Sequence, residues 1–414
     1  MNLIERVITQ LKERRERVLN GEVNCIPSTF NRFREDFVGI EQGRYYLISA
    51  HQKAGKTSFM SYTFIYQPLL YAFKNPNKVK LKIFYYPLEE TKEEVTLRFM
   101  AFLLYHLSQG RIRISPMDLK STNENKILPE EIINILESDD YQELLNYFQD
   151  SIVFCESTNP TGMWKDMTRY AEENGTIHYK EVEIIDRLTG DVSIKKVFDY
   201  YVPNDPKEYV EIIWDHAGLT ALERGLDLRQ TINKLSEYYV LLRNKYNYSP
   251  ILVYQQSTET QSLDAYKSNK IRPTVAGLSD SKYPARDCSM MLGLSNPYTF
   301  ELPEYLGYDI TKFRDNIRFL EVVVNRFGSS NGITALYFDG AVTSFSELPL
   351  PSDKNSIAQV YSFLERIRNN TSAFLFFHSS SGNNKKTKNY NHRYKKYISL
   401  QFFNNKKIKK WLKY

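Results

Sequence analysis

Four stretches of this chain place reactive side chains where a phosphate could be held and split. The first is Ala50-His51-Gln52-Lys53-Ala54-Gly55-Lys56-Thr57, with Ser58 directly after it. Its spacing follows G-x-x-x-x-G-K-[ST], a loop whose backbone N–H groups cradle the phosphates of a nucleotide. Gly55 lets the backbone approach closely, Lys56 pairs with the β- and γ-phosphates, and the Thr57 hydroxyl ligates Mg²⁺. Ala50 stands at the first glycine position, so the strict pattern is missed by one methyl group. Read blandly, the segment is an ordinary turn with a surface lysine. The second stretch, Glu211-Ile212-Ile213-Trp214-Asp215, is an apolar run ending in a carboxylate that suits the Mg²⁺ of a bound nucleotide. Many strands end in Asp, so Asp215 gains weight only beside the first motif. The third is Glu89, between an apolar run and the capping-box pattern Thr91-x-x-Glu94. A carboxylate fixed there can polarise an attacking water, or it is simply a solvent-facing Glu near a helix N-terminus. The fourth, Gln256, closes another apolar run, where a neutral amide could sense a γ-phosphate. ATP and Mg²⁺ are the expected ligands.

The elements that must position these residues are legible as alternation. Apolar runs at 45–50, 83–88, 152–155, 212–214, 251–255, 290–294 and 319–324 are separated in several places by helical stretches, 58–66 among them. Such a pattern predicts an α/β fold, a mainly parallel sheet with helices on both faces. Ligands of such sheets bind beyond the carboxyl ends of the strands, and all four stretches sit at such ends. Ahead of this core, Ile4, Val7, Ile8, Leu11 and Val18 recur at helical spacing, and Gly21 follows as a stop. That amphipathic helix packs either on its own domain or on a neighbouring subunit. Residues 176–202 read as an inserted β-hairpin around Leu188-Thr189-Gly190-Asp191, with no role assigned. After Pro349, Pro351 and Ser352 come a helix over 356–368 and a weakly patterned tail. The expected organisation is a helix over 1–24, a motor domain over 25–350, and a helix with a basic, weakly ordered tail over 351–414.

The 414 residues are 42% hydrophobic and 25% charged, ordinary for a globular protein. No apolar run approaches the roughly 18–20 residues that a membrane-spanning helix needs, and Glu5, Arg6, Lys12 and Glu13 interrupt any signal-like core. Cys25, Cys155 and Cys288 are far apart and form no metal-ligand spacing, which suits a reducing compartment. A cytoplasmic location is expected. The net charge of +6 belongs to the tail: from Arg366 onward there are 13 Lys and Arg and no acidic residue. Residues 1–365 hold 42 basic against 49 acidic residues, a net of −7. Within the tail, Lys385, Lys386, Lys388, Arg393, Lys395 and Lys396 alternate with Tyr390, Tyr394 and Tyr397. Farther on, Lys406, Lys407, Lys409 and Lys410 lie near Phe402, Phe403 and Trp411. Cations and stacking rings suit single-stranded nucleic acid, and a solvated tail has the same composition.

Taken together, these motifs resemble the DnaB-like replicative helicases (superfamily 4), over roughly residues 25–346. Ile26-Pro27-Ser28-Thr29-Phe30 looks like the family's opening motif, and Ala50 matches a position where its members commonly carry Ala. Pro87-Leu88-Glu89-Glu90 resembles the segment whose Glu is the catalytic base, and Arg98 an arginine in the next helix. Asp215 falls at the metal-binding Asp, although His216-Ala217-Gly218 departs from the usual residues. Gln256 falls on the family's glutamine; Arg272-Pro273, Asp280-Ser281 and Asp287 follow the spacing of its second DNA-facing loop. Val322-Val323-Val324-Asn325-Arg326-Phe327-Gly328 is similar to the strand carrying Lys-x-Arg-x-Gly. Arg326 matches the arginine finger that reaches a neighbour's γ-phosphate, Gly332 matches a later glycine, and Val324 replaces the lysine. The bland reading of Arg326 is a surface arginine at a strand end.

The resemblance implies a RecA-like P-loop NTPase core and an ATP-dependent replicative DNA helicase. It would assemble as a ring, a hexamer with nucleotide at the subunit interfaces, on single-stranded DNA. Hydrolysis would shift the loops around 217–226 and 257–283 along the strand, so that the motor translocates 5′ to 3′ and unwinds duplex DNA. The family's bacterial members carry an N-terminal domain; residues 1–24 resemble only their linker helix, an arrangement that looks phage- or plasmid-like, so the cytoplasm would then be a host's. A primase or loader is a further candidate partner, though not through that domain. Two other readings stay open: a RecA- or KaiC-like DNA-dependent ATPase that does not unwind, and a nucleotide-binding structural ring or adaptor, which Val324 favours.

Overall fold

The computed structural model describes residues 3–122, 127–185, 192–257, 271–330 and 332–379, with side chains at 3, 6, 185 and 367–379 left aside. The turn Leu188-Thr189-Gly190-Asp191, most of the loop after Gln256 and the basic tail from Lys385 lie outside the described residues.

One nine-stranded sheet organises the chain. In chain order its strands are β1 (Tyr46–Ala50), β2 (Lys80–Pro87), β3 (Ile152–Phe154), β4 (Glu208–Asp215) and β5 (Ser249–Gln255). They continue as β6 (Met290–Ser295), β7 (Ile317–Asn325), β8 (Ile333–Asp339) and β9 (Ser344–Glu347). Across the sheet the order is β9-β8-β7-β6-β1-β5-β4-β2-β3. The strands from β6 through β3 run parallel, and β7, β8 and β9 extend the sheet antiparallel beyond β6. A parallel strand in this position is covered on both faces and reads as a continuous apolar run. In β1, Tyr46, Ile48 and Ala50 join an aromatic-rich cluster with Phe59 and Phe64, while Leu47 enters a second cluster with Trp214 and Tyr239.

Two features differ from the sequence expectation. The helix expected over 58–66 starts at Lys56 and continues to Lys74, with a π-helical stretch over Ser61–Tyr66. Pro68 lacks the N–H that an α-helix would use, and the wider turn just before it accommodates that loss. The strands β8 and β9 were not expected; Thr334, Asp339 and Ser344 break their apolar runs, as they can in strands near a sheet edge. The helix Leu3–Leu19 leaves its apolar stripe in the open, Ile4 being 70% and Leu11 62% exposed. Its last turns are tied down by Arg14 to Glu41 at 3.2 Å and Arg17 to the Val23 carbonyl at 3.1 Å.

Strands Gly175–Ile185 and Val192–Pro203 pair antiparallel as a separate hairpin. Its base packs on Tyr246, through Phe198 and Tyr201 at ring separations of 6.0 and 5.2 Å. Toward the tip, Val192 and Ile194 stand exposed. No described helix is long and apolar enough to cross a membrane.

Candidate nucleotide site

The loop after β1 turns on two left-handed residues, Lys53 (φ 60°) and Gly55 (φ 91°). Such a φ suits glycine, and Gly55 caps the helix that begins at Lys56. A Cβ at Gly55 would make only ordinary contact with the Phe338 ring, at 3.5 Å, so its left-handed backbone and not crowding is what favours glycine. Ala50, His51 and Ala54 are buried, Gln52 and Lys53 are exposed, and Gly55, Lys56, Thr57 and Ser58 are half-buried in the loop end and first helical turn. Backbone N–H groups at a helix start, with a lysine among them, form an anion site. Burial and the nearby Lys56 pull the His51 imidazole down to about 4, which keeps a third positive charge, beyond Lys53 and Lys56, out of the loop.

Asp215 ends β4 beside this loop. In register it lies opposite Pro87 at the end of β2, and the Leu88 N–H donates to the Asp215 carbonyl at 3.0 Å. The Asp215 side chain is buried, hydrogen-bonded by Thr57, and accepts from the Tyr85 hydroxyl at 3.3 Å. Burial pushes its carboxyl up to about 6, and the Thr57 hydrogen bond and Lys56 oppose this. Burial likewise lowers the Lys56 ammonium, against the pull of Asp215 and Glu89. Asp215 Oδ1 is buried with no hydrogen-bond partner among the described residues. An unpartnered carboxylate oxygen beside a threonine hydroxyl is the hard oxygen pair that Mg²⁺ accepts.

The neighbouring glutamates divide. Glu90 forms a half-buried ion pair with Arg98, which ties it to the following helix. Glu89 points outward, its side chain 60% exposed, with His216 Nε2 at 4.0 Å. The capping box beneath them forms: Glu94 N–H donates to Thr91 Oγ1 and Thr91 N–H to Glu94 Oε2, each at 3.2 Å. Gln256 is buried, and its amide is committed inside the chain. Its Nε2 donates to Ser49 Oγ at 2.7 Å and to the Thr274 carbonyl at 3.0 Å, while its Oε1 accepts the Thr274 N–H at 3.2 Å.

Lys56, Thr57, Glu89, Asp215 and Gln256 therefore gather at one edge of the sheet, and Arg326 does not join them. β7 runs antiparallel to β6, so its end lies beside Met290, at the start of the parallel strands. There the Arg326 backbone N–H donates to the Ser289 carbonyl at 3.1 Å and its Nε to the Cys288 carbonyl at 2.8 Å. The length of β1 separates that end from the phosphate loop, about 17 Å at 3.3 Å per residue. Val324 packs half-buried against the apolar cluster around Trp214. Arg272 is ion-paired with the buried Glu321, and the Asp287 carboxylate accepts the Ser236 hydroxyl at 2.7 Å.

Sequence reasoning missed Arg318. It is 1% exposed near the start of β7, and its Nε donates to the Ala54 carbonyl at 2.7 Å. Its Nη1 donates to the Asp315 and Ile317 carbonyls at 2.7 and 2.8 Å, its Nη2 to Asp315 Oδ1 at 3.1 Å, and the guanidinium lies 4.7 Å from the Phe338 ring. The available signal was an arginine inside the apolar run Ile317-Arg318-Phe319-Leu320, where a buried charge requires partners.

No protein-family model matches the sequence, and no curated protein matches it. Solved structures do. One solved ATPase domain aligns over 84% of this chain and 99% of its own length, with a TM-score of 0.56 at 15% identity. A DnaB-like replicative helicase, solved to show its interactions with primase, aligns over 83% of this chain at a TM-score of 0.55 and 16% identity. The match spans 66% of that second protein's length. The chain has the fold of these ATPase domains: a large, mostly parallel RecA-like sheet with its phosphate loop after the central strand.

Proposed function

We propose that this protein is an ATP-driven motor that assembles as a ring, a hexamer by resemblance, on single-stranded DNA and unwinds duplex DNA. The observation that carries the reading is the division of the site. Lys56, Thr57, Glu89, Asp215 and Gln256 meet at the carboxyl ends of the strands, and Arg326 stands at the opposite end, away from its own phosphate loop. The phosphate loop and Lys56 would hold the phosphates, while Thr57 and Asp215 would hold Mg²⁺, which supplies charge neutralisation. Glu89 is the open carboxylate and would take the proton of the attacking water. Arg326 of one copy would reach the terminal phosphate on the next. The exposed stripe of Leu3–Leu19 supports assembly, since an apolar face of that extent is normally covered. Primase is a candidate partner because the DnaB-like neighbour's structure was solved to show such contacts.

Steady-state ATPase measured with and without single-stranded DNA tests the motor, and strand displacement on a forked duplex tests unwinding. Stimulation by single-stranded DNA together with displacement is the expected result. Hydrolysis without displacement would place the protein with non-unwinding ATPases. Nucleotide binding without hydrolysis would make it a structural ring, the reading that Val324 favours.

A further inference from the structure

His216 has no part in the reading above, yet its ring is held in one orientation. Its Nδ1 accepts the Gly218 N–H at 3.2 Å, capping the short turn Ala217–Leu219. A Cβ on Gly218 would come within 3.1 Å of His216 Cε1, so the glycine leaves room for the ring to lie there. A nitrogen that accepts carries no proton, so the neutral ring keeps its hydrogen on Nε2. Nε2 is the atom that faces Glu89 Oε2 at 4.0 Å. Among the described residues no other side chain is hydrogen-bonded or ion-paired to Glu89. The same ring lines a polar cavity of about 290 Å³ together with Gly218, Gln256, Ser257 and Asp280. It therefore stands between the open carboxylate and the segment that follows β5.

We propose that His216 is a positioning residue whose Nε2–H fixes the Glu89 carboxylate for its work on water. The proposal rests on Glu89 being the base of the site. An exposed glutamate has several rotamers of similar energy, and one directed donor selects among them. Contacts in an unliganded site are often long and close when substrate binds, and 4.0 Å is within the reach of a rotation of the Glu89 side chain. In the hydrolytic step the water oxygen forms its bond to the γ-phosphorus and the bond to the ADP oxygen breaks. The water proton goes to Glu89, and His216 keeps its own.

The test uses the full chain with ATP and Mg²⁺. His216→Ala should lower kcat by about ten- to a hundredfold while ATP affinity stays within about twofold, since orientation and not binding is lost. His216→Gln, whose amide N–H can reach the same place, should recover most of the loss. In a Glu89→Ala background, adding His216→Ala should change the residual single-turnover rate by less than about twofold, because the two act as a unit. A His216→Ala enzyme at the wild-type rate beside an inactive Glu89→Ala enzyme overturns this proposal alone. So does an equal loss in both backgrounds, which marks a merely structural role. A Glu89→Ala enzyme at the wild-type rate overturns the assignment of the base and this proposal with it.

Discussion

At the carboxyl ends of β1, β2, β4 and β5 most polar side chains already have partners in their own chain. At the other end of the same sheet, Arg326 is exposed and held by backbone carbonyls alone. The phosphate edge is buried enough to shift the titration of His51, Lys56 and Asp215. The Arg326 end faces solvent, its charge uncompensated by any described carboxylate within ion-pair distance. The contrast teaches that folding alone assembles only half of the site proposed above. Hydrogen bonds within the chain fix the cis half, and the proposed trans half is a surface that would gain a ligand only on assembly.

The strongest way to break this comparison is to disable each end separately. Lys56→Ala and Arg326→Ala should each lower ATPase activity by about a thousandfold, the scale of an arginine finger or a phosphate-loop lysine. They should part in nucleotide affinity, which falls in Lys56→Ala and holds in Arg326→Ala. Mixed together, the two inactive proteins should regain measurable hydrolysis, because some interfaces then carry an intact half from each. Mixtures that stay inactive would remove the trans role of Arg326.

A smaller effect should separate the loop from its support. Arg318→Lys keeps the charge and loses the fork that grips Ala54 together with Asp315 and Ile317. ATP affinity measured by titration calorimetry should weaken about tenfold, roughly one charge-assisted hydrogen bond. Unchanged affinity would mean that the loop holds its shape without the arginine.

The smallest effect concerns the middle of the sheet, where neither end should feel it. Glu211 is fully buried, both its carboxylate oxygens lack partners among the described residues, and burial raises its pKa well above the usual carboxylate value. Because the folded value is the higher one, the charged form is penalised and stability is lost as pH rises above the unfolded pKa. Glu211→Met should stabilise the fold by about 1–3 kcal/mol at pH 8 and by less at pH 5, read by thermal melting, with ATPase within about twofold of wild type. A destabilised Glu211→Met would show that the carboxyl has an unrecognised partner.

The phosphate loop, Glu89 and Asp215 were legible because each motif is local and ends an apolar run, and parallel topology alone brings strand ends together. Pairing between distant segments left no such trace. Arg318 meets Ala54 across 264 positions, and nothing near either residue names the other. β8 and β9 pair only with β7 and with each other, so their mixed composition satisfies a sheet edge without a clear period. His216 counted only as a departure from a family pattern, since the orientation of a ring depends on the turn behind it.

The Gln256 amide is already engaged at both its atoms. Its amide oxygen and nitrogen are taken up by Ser49 on one side and Thr274 on the other, and its backbone bridges to Leu278. A terminal phosphate that recruited this amide would have to compete with the grip on Thr274, so the segment from Thr274 to Leu278 would be released as the nucleotide was grasped. The cycle of binding and hydrolysis would thereby be converted into a latch closing and opening beyond β5.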